Sequence, residues 1–239
     1  MGRTNQAHVH NVYSHSSHFE RSRFDIPGSV VQLLRLVMIV ALIVLYIASF
    51  YYQPFYVHYT HLTYWAMHFT LISLLLSFSA GGDKHNLVMR EWALVTTEIA
   101  LTLTSIAVLF YYGVVKDEMH QSYKGTTNKD WHNSYFPMFL TMLHLVPFTF
   151  TFINFVLSDI EFLKKDVAMI ALVAVSYIVF NFLVSKLSGV PVYRFVTWHN
   201  LGSFVSALLF ILAVCAVYMV LVMLSAILPR KENAPYVQD

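Results

Sequence analysis

The chain has 239 residues, of which 57% are hydrophobic and only 12% are charged, and its mean hydropathy is +0.58. An ordinary soluble domain carries about 25% charged residues, so this composition excludes that class. The formal net charge of +2 gives no reason to expect nucleic acid as a partner.

Six apolar runs, each about 20 residues or longer, fill most of the chain. At about 1.5 Å per residue, such a run crosses the roughly 30 Å hydrocarbon core of a bilayer as a helix. Barrel strands would alternate polar and apolar residues, and these runs do not. The sequence therefore predicts an all-α fold, a polytopic six-transmembrane-helix bundle. Its spans are residues 30–50, 60–80, 92–114, 135–157, 167–187 and 201–228.

Polar tails flank the spans. Residues 1–29 are rich in histidine and nearly free of apolar periodicity, which predicts a disordered cytoplasmic tail. Residues 30–228 are then the six-helix transmembrane domain, and residues 229–239 are a second cytoplasmic tail. Ten of the 15 lysine and arginine residues lie in the tails, the start of the first span, and the second and fourth connectors, so the positive-inside rule predicts that both termini are cytoplasmic. The endoplasmic reticulum or plasma membrane is favoured, and a mitochondrial membrane stays open.

Polar side chains inside the spans are the functional candidates, because hydrocarbon penalises each one that does not face the bundle interior. Thr63 lies near the start of the second span. A threonine in a membrane helix usually bonds its own i−4 carbonyl, but an adjacent base can make its hydroxyl a nucleophile. His68 follows on the same helix, and Glu98 lies near the middle of the third span. A charged Glu98 facing lipid would cost about 2.5 to 3.5 kcal/mol, so we expect it to face inward or to be protonated.

His144 lies well inside the fourth span, between Pro137 and Pro147. A neutral imidazole is tolerated there and keeps a basic nitrogen, which is the property that a general base requires. The alternative is a histidine that bonds across a helix interface only for packing. The separation of Thr63 and His144 in sequence neither forbids nor demonstrates their contact.

Histidines also allow a different hypothesis. His61 and His68 are seven residues apart on one helical face, and with His144 and His199 they form the plausible ligand set for haem or a transition metal. A haem-binding or ion-handling bundle that uses these residues and Glu98 is therefore a rival. The preferred prediction includes no metal and no cofactor.

Four segments carry a family resemblance. They are Leu62-Thr63-Tyr64-Trp65, Arg90-Glu91-Trp92, Pro137 through Phe148 with His144, and Ser188 through Phe195. In order and spacing they resemble the androgen-induced protein family, which includes the androgen-dependent TFPI-regulating protein, over about residues 30–228. These are six-span membrane hydrolases of fatty acid esters of hydroxy fatty acids. Arg194 and Pro191 depart from the family's last segment, where proline and tryptophan are expected.

The resemblance implies an intramembrane hydrolase of lipid esters in which Thr63 is the nucleophile and His144 the general base. Its partners would be the long-chain ester and membrane lipids. We expect four residues to line the substrate site or to orient its groups: Trp65, Thr141, Asn154 and Tyr193. Glu98 and His68 are expected to contact these residues from outside the substrate site. The rival class is a non-enzymatic structural or accessory subunit of a larger membrane complex.

Overall fold

The structure, a computed structural model, describes residues 17–83, 86–116, 131–193 and 196–229. Six helices in this part of the chain are long and apolar enough to cross a membrane. Each predicted span coincides with one of them, which confirms the multi-pass helical prediction. The helices are α1 (Gly28–Tyr52), α2 (Val57–Thr60), α3 (Leu62–Gly82), α4 (Leu87–Phe110), α5 (Trp131–Leu157), α6 (Val167–Ser188) and α7 (Leu201–Ile227).

Four short elements join the helices. A π-helical turn (Tyr111–Val115) continues α4, and a 3₁₀ turn (Lys164–Asp166) leads into α6. Strand β1 (Ser17–Ser22) precedes α1, and strand β2 (Ser158–Ile160) follows α5. The two strands pair antiparallel, with Ser17 opposite Ile160.

Helix α4 is the centre of the bundle. In the span that comprises α4 and its π-turn, 83% of the residues in the most apolar stretch are buried, against 22% to 44% in the corresponding stretches of the other five spans. The outer helices therefore turn apolar side chains outward, as lipid-facing helices do. Examples are Val37 and Ile47 on α1 and Leu208 and Val220 on α7.

Small residues bring α3 and α4 close together. Each helix has a buried stripe that repeats every seven residues, so that it stays on one face. The stripes are Ala66, Ser73 and Ala80 on α3, and Ala93, Ala100 and Ala107 on α4. Small side chains let two helix backbones approach closely in a membrane. A hydroxyl bond of 2.8 Å between Ser73 and Thr97 crosses the interface.

The described part of the N-terminal tail is ordered, which differs from the prediction for residues 1–29. Phe19 is buried, and its carbonyl accepts a hydrogen bond of 2.9 Å from Arg35 Nη1. Arg23 Nε donates to the Ser158 carbonyl at 2.7 Å. These buried bonds satisfy two arginines and fix the segment against the end of the bundle. Residues 1–16 and 230–239 of the two predicted tails lie outside the described residues.

At the opposite end of the bundle, residues 53–61 position the start of α3. Helix α2 is only one turn long, and His61 then adopts an extended conformation before α3 begins at Leu62. The carbonyl of His61 accepts the N–H groups of both Tyr64 and Trp65. This break in the chain places Thr63 in the first turn of a new helix.

Candidate functional site

Thr63 and His144 meet between α3 and α5. The hydroxyl Oγ1 of Thr63 lies 2.9 Å from Nε2 of His144, and both side chains are partly exposed. The other ring nitrogen, Nδ1, lies 2.7 Å from the Leu140 carbonyl one turn earlier. A carbonyl oxygen only accepts, so in the neutral ring Nδ1 carries the hydrogen and Nε2 offers its lone pair. The Thr63 hydroxyl therefore donates to Nε2, the direction that a general base requires.

Thr63 differs from most other threonines of the long helices. Seven of these donate to the carbonyl four residues earlier: Thr70, Thr96, Thr97, Thr102, Thr104, Thr141 and Thr151. Because Thr63 is the second residue of α3, the carbonyl four residues before it belongs to Tyr59, outside the helix. That carbonyl accepts from Trp65 Nε1 at 2.7 Å. The start of α3 thus frees the Thr63 hydroxyl for the imidazole.

A chain of phenols fixes the start of α3. The N–H of Leu62 donates to the Tyr193 hydroxyl at 3.1 Å, and the Tyr193 and Tyr177 hydroxyls are 3.0 Å apart. Tyr177 donates its one hydrogen to the Thr60 carbonyl at 3.2 Å, so Tyr193 is the donor between the two phenols. Burial raises the pKa of the Tyr193 phenol, which keeps it protonated. Tyr193 therefore lies beside Thr63, but its hydrogen is committed to Tyr177.

The first turn of α3 also presents a free backbone donor. Within the described residues, the N–H of Thr63 makes no hydrogen bond, as expected for one of the first N–H groups of a helix. The positive end of the helix dipole lies at the same place. Both features favour a negatively charged oxygen next to Thr63.

Tyr111, in the π-turn after α4, holds the imidazole of His144. The two rings stack with centroids 4.0 Å apart and planes inclined by 16°. The Tyr111 hydroxyl lies 3.3 Å from Thr141 Oγ1, which itself donates to the Pro137 carbonyl. Thr141, which we expected at the substrate site, therefore contacts Tyr111. Tyr111 in turn contacts the imidazole of His144. Sequence reasoning missed Tyr111, because a tyrosine near the end of a span suggests only the aromatic belt of a membrane interface.

No protein-family model, curated protein or solved structure matches this chain. The resemblance to the androgen-induced protein family consequently rests on the four sequence segments alone.

Trp65 lies near Thr63 in sequence but faces another helix. Its ring packs against Tyr177 at 5.4 Å and against Phe180 at 5.6 Å, both on α6. Together with its bond to the Tyr59 carbonyl, this packing holds the first turn of α3 against α6. Trp65 has no described contact with His144.

Asn154 and His68 also lie away from the pair. Asn154 Oδ1 accepts from Arg35 Nε at 2.9 Å, near the strands at the opposite end of the bundle. It is ten residues after His144, or about 15 Å along a helix. His68 Nε2 lies 3.0 Å from the Tyr46 hydroxyl on α1. The structure therefore gives both residues contacts with other helices and none with Thr63.

Glu98 lies inside the bundle, and an inward-facing side chain is one of the two alternatives predicted from the sequence. Its Oε1 accepts from the Leu163 N–H and from the Tyr218 hydroxyl, each at 3.0 Å. These bonds join α4 to α7 and to the segment before α6. Tyr111 is 13 residues further along the same span, so Glu98 is about 20 Å from the imidazole of His144.

The histidines of the rival haem or metal hypothesis do not form one ligand set in the described part of the chain. Within the described ranges, no group of three or more His, Cys, Asp or Glu side chains is placed to hold a metal ion. His199 is exposed before α7. His61 lies at the start of α3, with Nδ1 2.9 Å from Thr60 Oγ1. Burial lowers the pKa of the His61 imidazole to about 4, so this ring is neutral at physiological pH.

Proposed function

We propose that the protein is an intramembrane hydrolase of lipid carboxylic esters, with Thr63 as the nucleophile and His144 as the general base. One observation supports this above all: Thr63 Oγ1 lies 2.9 Å from Nε2 of an imidazole whose other nitrogen is committed to the Leu140 carbonyl. A hydroxyl beside an oriented base is the arrangement used in nucleophilic ester hydrolysis. Fatty acid esters of hydroxy fatty acids, which the sequence resemblance implies, are the proposed substrates.

In the first half-reaction, Thr63 Oγ1 attacks the ester carbonyl carbon while its proton passes to His144 Nε2. The carbonyl oxygen becomes an oxyanion, which the Thr63 N–H and the positive end of α3 stabilise. His144 then gives the proton to the alkoxy oxygen, and the bond from that oxygen to the carbonyl carbon breaks. The alcohol leaves, and the acyl group remains on Thr63 as an ester.

In the second half-reaction, a water molecule replaces the alcohol. His144 Nε2 takes a proton from this water as its oxygen attacks the acyl carbonyl. The bond to Thr63 Oγ1 breaks, and the threonine recovers its proton from His144. A carboxylic acid is released, and both side chains return to their starting states.

The position of the pair within the spans suits a water-insoluble substrate. Thr63 and His144 both lie in membrane-spanning helices, and both are partly exposed. A long-chain ester can therefore approach them without transferring its chains from lipid to water, a step that would cost about 0.8 kcal/mol for each CH₂.

A fluorophosphonate, which reacts covalently with activated hydroxyl nucleophiles, tests the proposal. We expect the purified protein to be labelled on Thr63, and we expect the label to be lost in Thr63→Ala and in His144→Ala. Ser49→Ala is the matched control, because Ser49 also contacts an imidazole, that of His58. This variant should keep the label. A native protein that is not labelled, or a label that persists in Thr63→Ala, contradicts the proposal.

The same preparation addresses the structural alternative. A native protein that is not labelled and co-purifies in fixed stoichiometry with other membrane subunits would be assigned as an accessory subunit. Thr63 and His144 would then be packing residues.

A further inference from the structure

A cavity of about 480 Å³ lies between α4, α6 and α7. Its wall is mainly apolar, and its volume falls within the roughly 300 to 1,000 Å³ of small-molecule sites. Leu109 and Leu209 belong to this wall and are 61% and 59% exposed on the outer surfaces of their helices. The cavity therefore communicates with the lipid that surrounds the bundle.

One polar side chain in this apolar wall has a donor without a full hydrogen bond. Asn181 on α6 is 2% exposed, and its Oδ1 accepts from Trp198 Nε1 at 3.1 Å. An indole nitrogen only donates, so this bond fixes which end of the amide is oxygen. No acceptor among the described residues lies within 3.5 Å of the amide nitrogen Nδ2 in hydrogen-bonding geometry, although the amide interacts more weakly with the Tyr177 phenol. A buried donor left unpaired costs about 1 to 3 kcal/mol, which an acceptor oxygen on a ligand would recover.

The cavity adjoins the proposed active site at the end of α4. Phe110 lines the cavity, and the next residue, Tyr111, stacks on the imidazole of His144. Leu62, the residue before Thr63, and Tyr193 line the same end of the cavity. Thr63 and His144 themselves are not lining residues, so this space receives a chain and not the reacting ester group.

We propose that the cavity is the chain-binding subsite of the hydrolase and that Asn181 Nδ2 donates a hydrogen bond to an oxygen part-way along the bound chain. A hydroxyl or ester oxygen has the required chemistry. The inference rests on the proposed function, since the chain belongs to the ester that Thr63 attacks. A bilayer phospholipid also carries chains and ester oxygens, but the substrate chain is the occupant we assign, because the cavity ends beside Leu62 and Tyr193.

Chain length tests the cavity. Alkyl fluorophosphonates with a short and a long chain are compared by their rates of reaction with Thr63. Ala213→Phe adds bulk at the cavity wall, because Ala213 lines the cavity, whereas Ala216→Phe adds the same bulk on the same helix away from the cavity; both alanines are exposed. We expect Ala213→Phe to slow the long-chain reaction by about tenfold or more without changing the short-chain reaction. Ala216→Phe should change neither.

The outcomes separate the two proposals. If neither probe labels Thr63 in the native protein, the hydrolase proposal fails. If both probes label Thr63 and Ala213→Phe leaves the ratio of the two rates unchanged, the hydrolase stands and the subsite is overturned.

The amide donor is tested by protection of Thr63 from the short-chain probe. A long-chain hydroxy fatty acid is compared with a fatty acid of the same length without the hydroxyl. The native protein should be half-protected by about tenfold less of the hydroxy acid, the factor that corresponds to one hydrogen bond. Asn181→Leu should abolish this preference. Trp198→Phe is the matched control, because it removes the same Asn181–Trp198 bond and keeps the amide donor.

Two results would overturn the role of Asn181. One is equal protection by the two acids in the native protein. The other is a preference that Asn181→Leu retains while the short-chain probe still labels it at the native rate. A photoreactive phosphatidylcholine that crosslinks to the cavity and is not displaced by the hydroxy acid would assign the space to bilayer lipid, and would overturn the substrate assignment.

Discussion

Two serine or threonine hydroxyls at the same end of the described bundle contact the Nε2 atom of an imidazole, and only one of these two pairs has the properties of a reactive pair. Ser49 Oγ lies 2.7 Å from His58 Nε2, and Thr63 Oγ1 lies 2.9 Å from His144 Nε2. By distance alone, the Ser49 pair is the tighter of the two. It is fully buried, however, while Thr63 and His144 are both partly exposed.

The pairs also differ in what else the hydroxyl can bond. Ser49 donates to the Tyr46 carbonyl at 2.6 Å, so its one hydrogen has a backbone acceptor. Thr63 has no such acceptor in the described structure, and its hydrogen goes to His144. A short contact therefore does not by itself identify a nucleophile. Access to the hydroxyl and the absence of a competing acceptor are needed as well.

Removing either member of the exposed pair should have the largest effect. Thr63→Ala and His144→Ala should each lower kcat for a long-chain ester by about 10³-fold or more, because a nucleophile and its base act as one unit. Ser49→Ala should stay within about threefold of the native rate, since Ser49 lies outside the reaction. Product release measured by mass spectrometry gives both rates. A comparable loss in Ser49→Ala would show that the two pairs cannot be distinguished by access.

Tyr111 supports the reactive pair, because His144 stacks on its ring and its hydroxyl contacts Thr141. Tyr111→Ala removes the stacking and should lower kcat by about 10- to 100-fold, as misplaced catalytic groups do. Tyr111→Phe keeps the ring and should stay close to the native rate. Because the ring positions the base and is not expected to bind substrate, KM should change little in either variant. Equal losses in the two variants would assign the effect to the hydroxyl.

Ser49→Ala should affect stability where Thr63→Ala affects rate. Without the hydroxyl, Nε2 of the buried His58 loses its partner, at a cost of about 1 to 3 kcal/mol. Thr63 lies in the first turn of α3 and is partly exposed, so Thr63→Ala should cost less than about 1 kcal/mol. Thermal unfolding in detergent, followed by tryptophan fluorescence, compares them. A larger loss of stability in Thr63→Ala would contradict the structural role of the Ser49 pair.

Much of this fold follows from local sequence, and its exceptions come from distant contacts. The six spans were predictable because each is a continuous apolar run longer than the hydrocarbon core. The strand at Ser17–Ser22 was not, since its partner is β2, more than 130 residues later, and its order depends on the buried side chains of Arg23 and Arg35. A polar segment whose hydrogen-bond partners lie far away in sequence has the composition of a disordered tail.

The site shows the same limit. Thr63 and His144 could be singled out because hydrocarbon makes polar side chains costly, so few are present. The sequence could not show which of these residues are in contact, because packing sets the rotational orientation of each helix in the bundle. Asn154 satisfied the same criterion as His144, and it bonds a buried arginine instead.

The connector that carries both His58 and His61 should make the stability of the protein depend on pH. Burial lowers the pKa of the His61 imidazole from 6.5 to about 4, and it also lowers the pKa of His58. Between pH 4 and 6.5 the His61 imidazole therefore binds more protons in the unfolded chain than in the folded chain. The His61 contribution to stability is complete above pH 6.5 and is lost as the pH falls through this window, by at most about 1.4 kcal/mol for each pH unit.

His61→Gln removes this proton-binding difference beside Thr63 and leaves His58 in place. Unfolding temperatures measured from pH 7.5 down to pH 4.5 should fall less steeply in the variant than in the native protein. His199→Gln is the matched control, since His199 is exposed, and it should reproduce the native slope. If His61→Gln also keeps the native slope, the loss of stability in acid comes from other groups. The buried pair of Ser49 and His58 would then be the first to test.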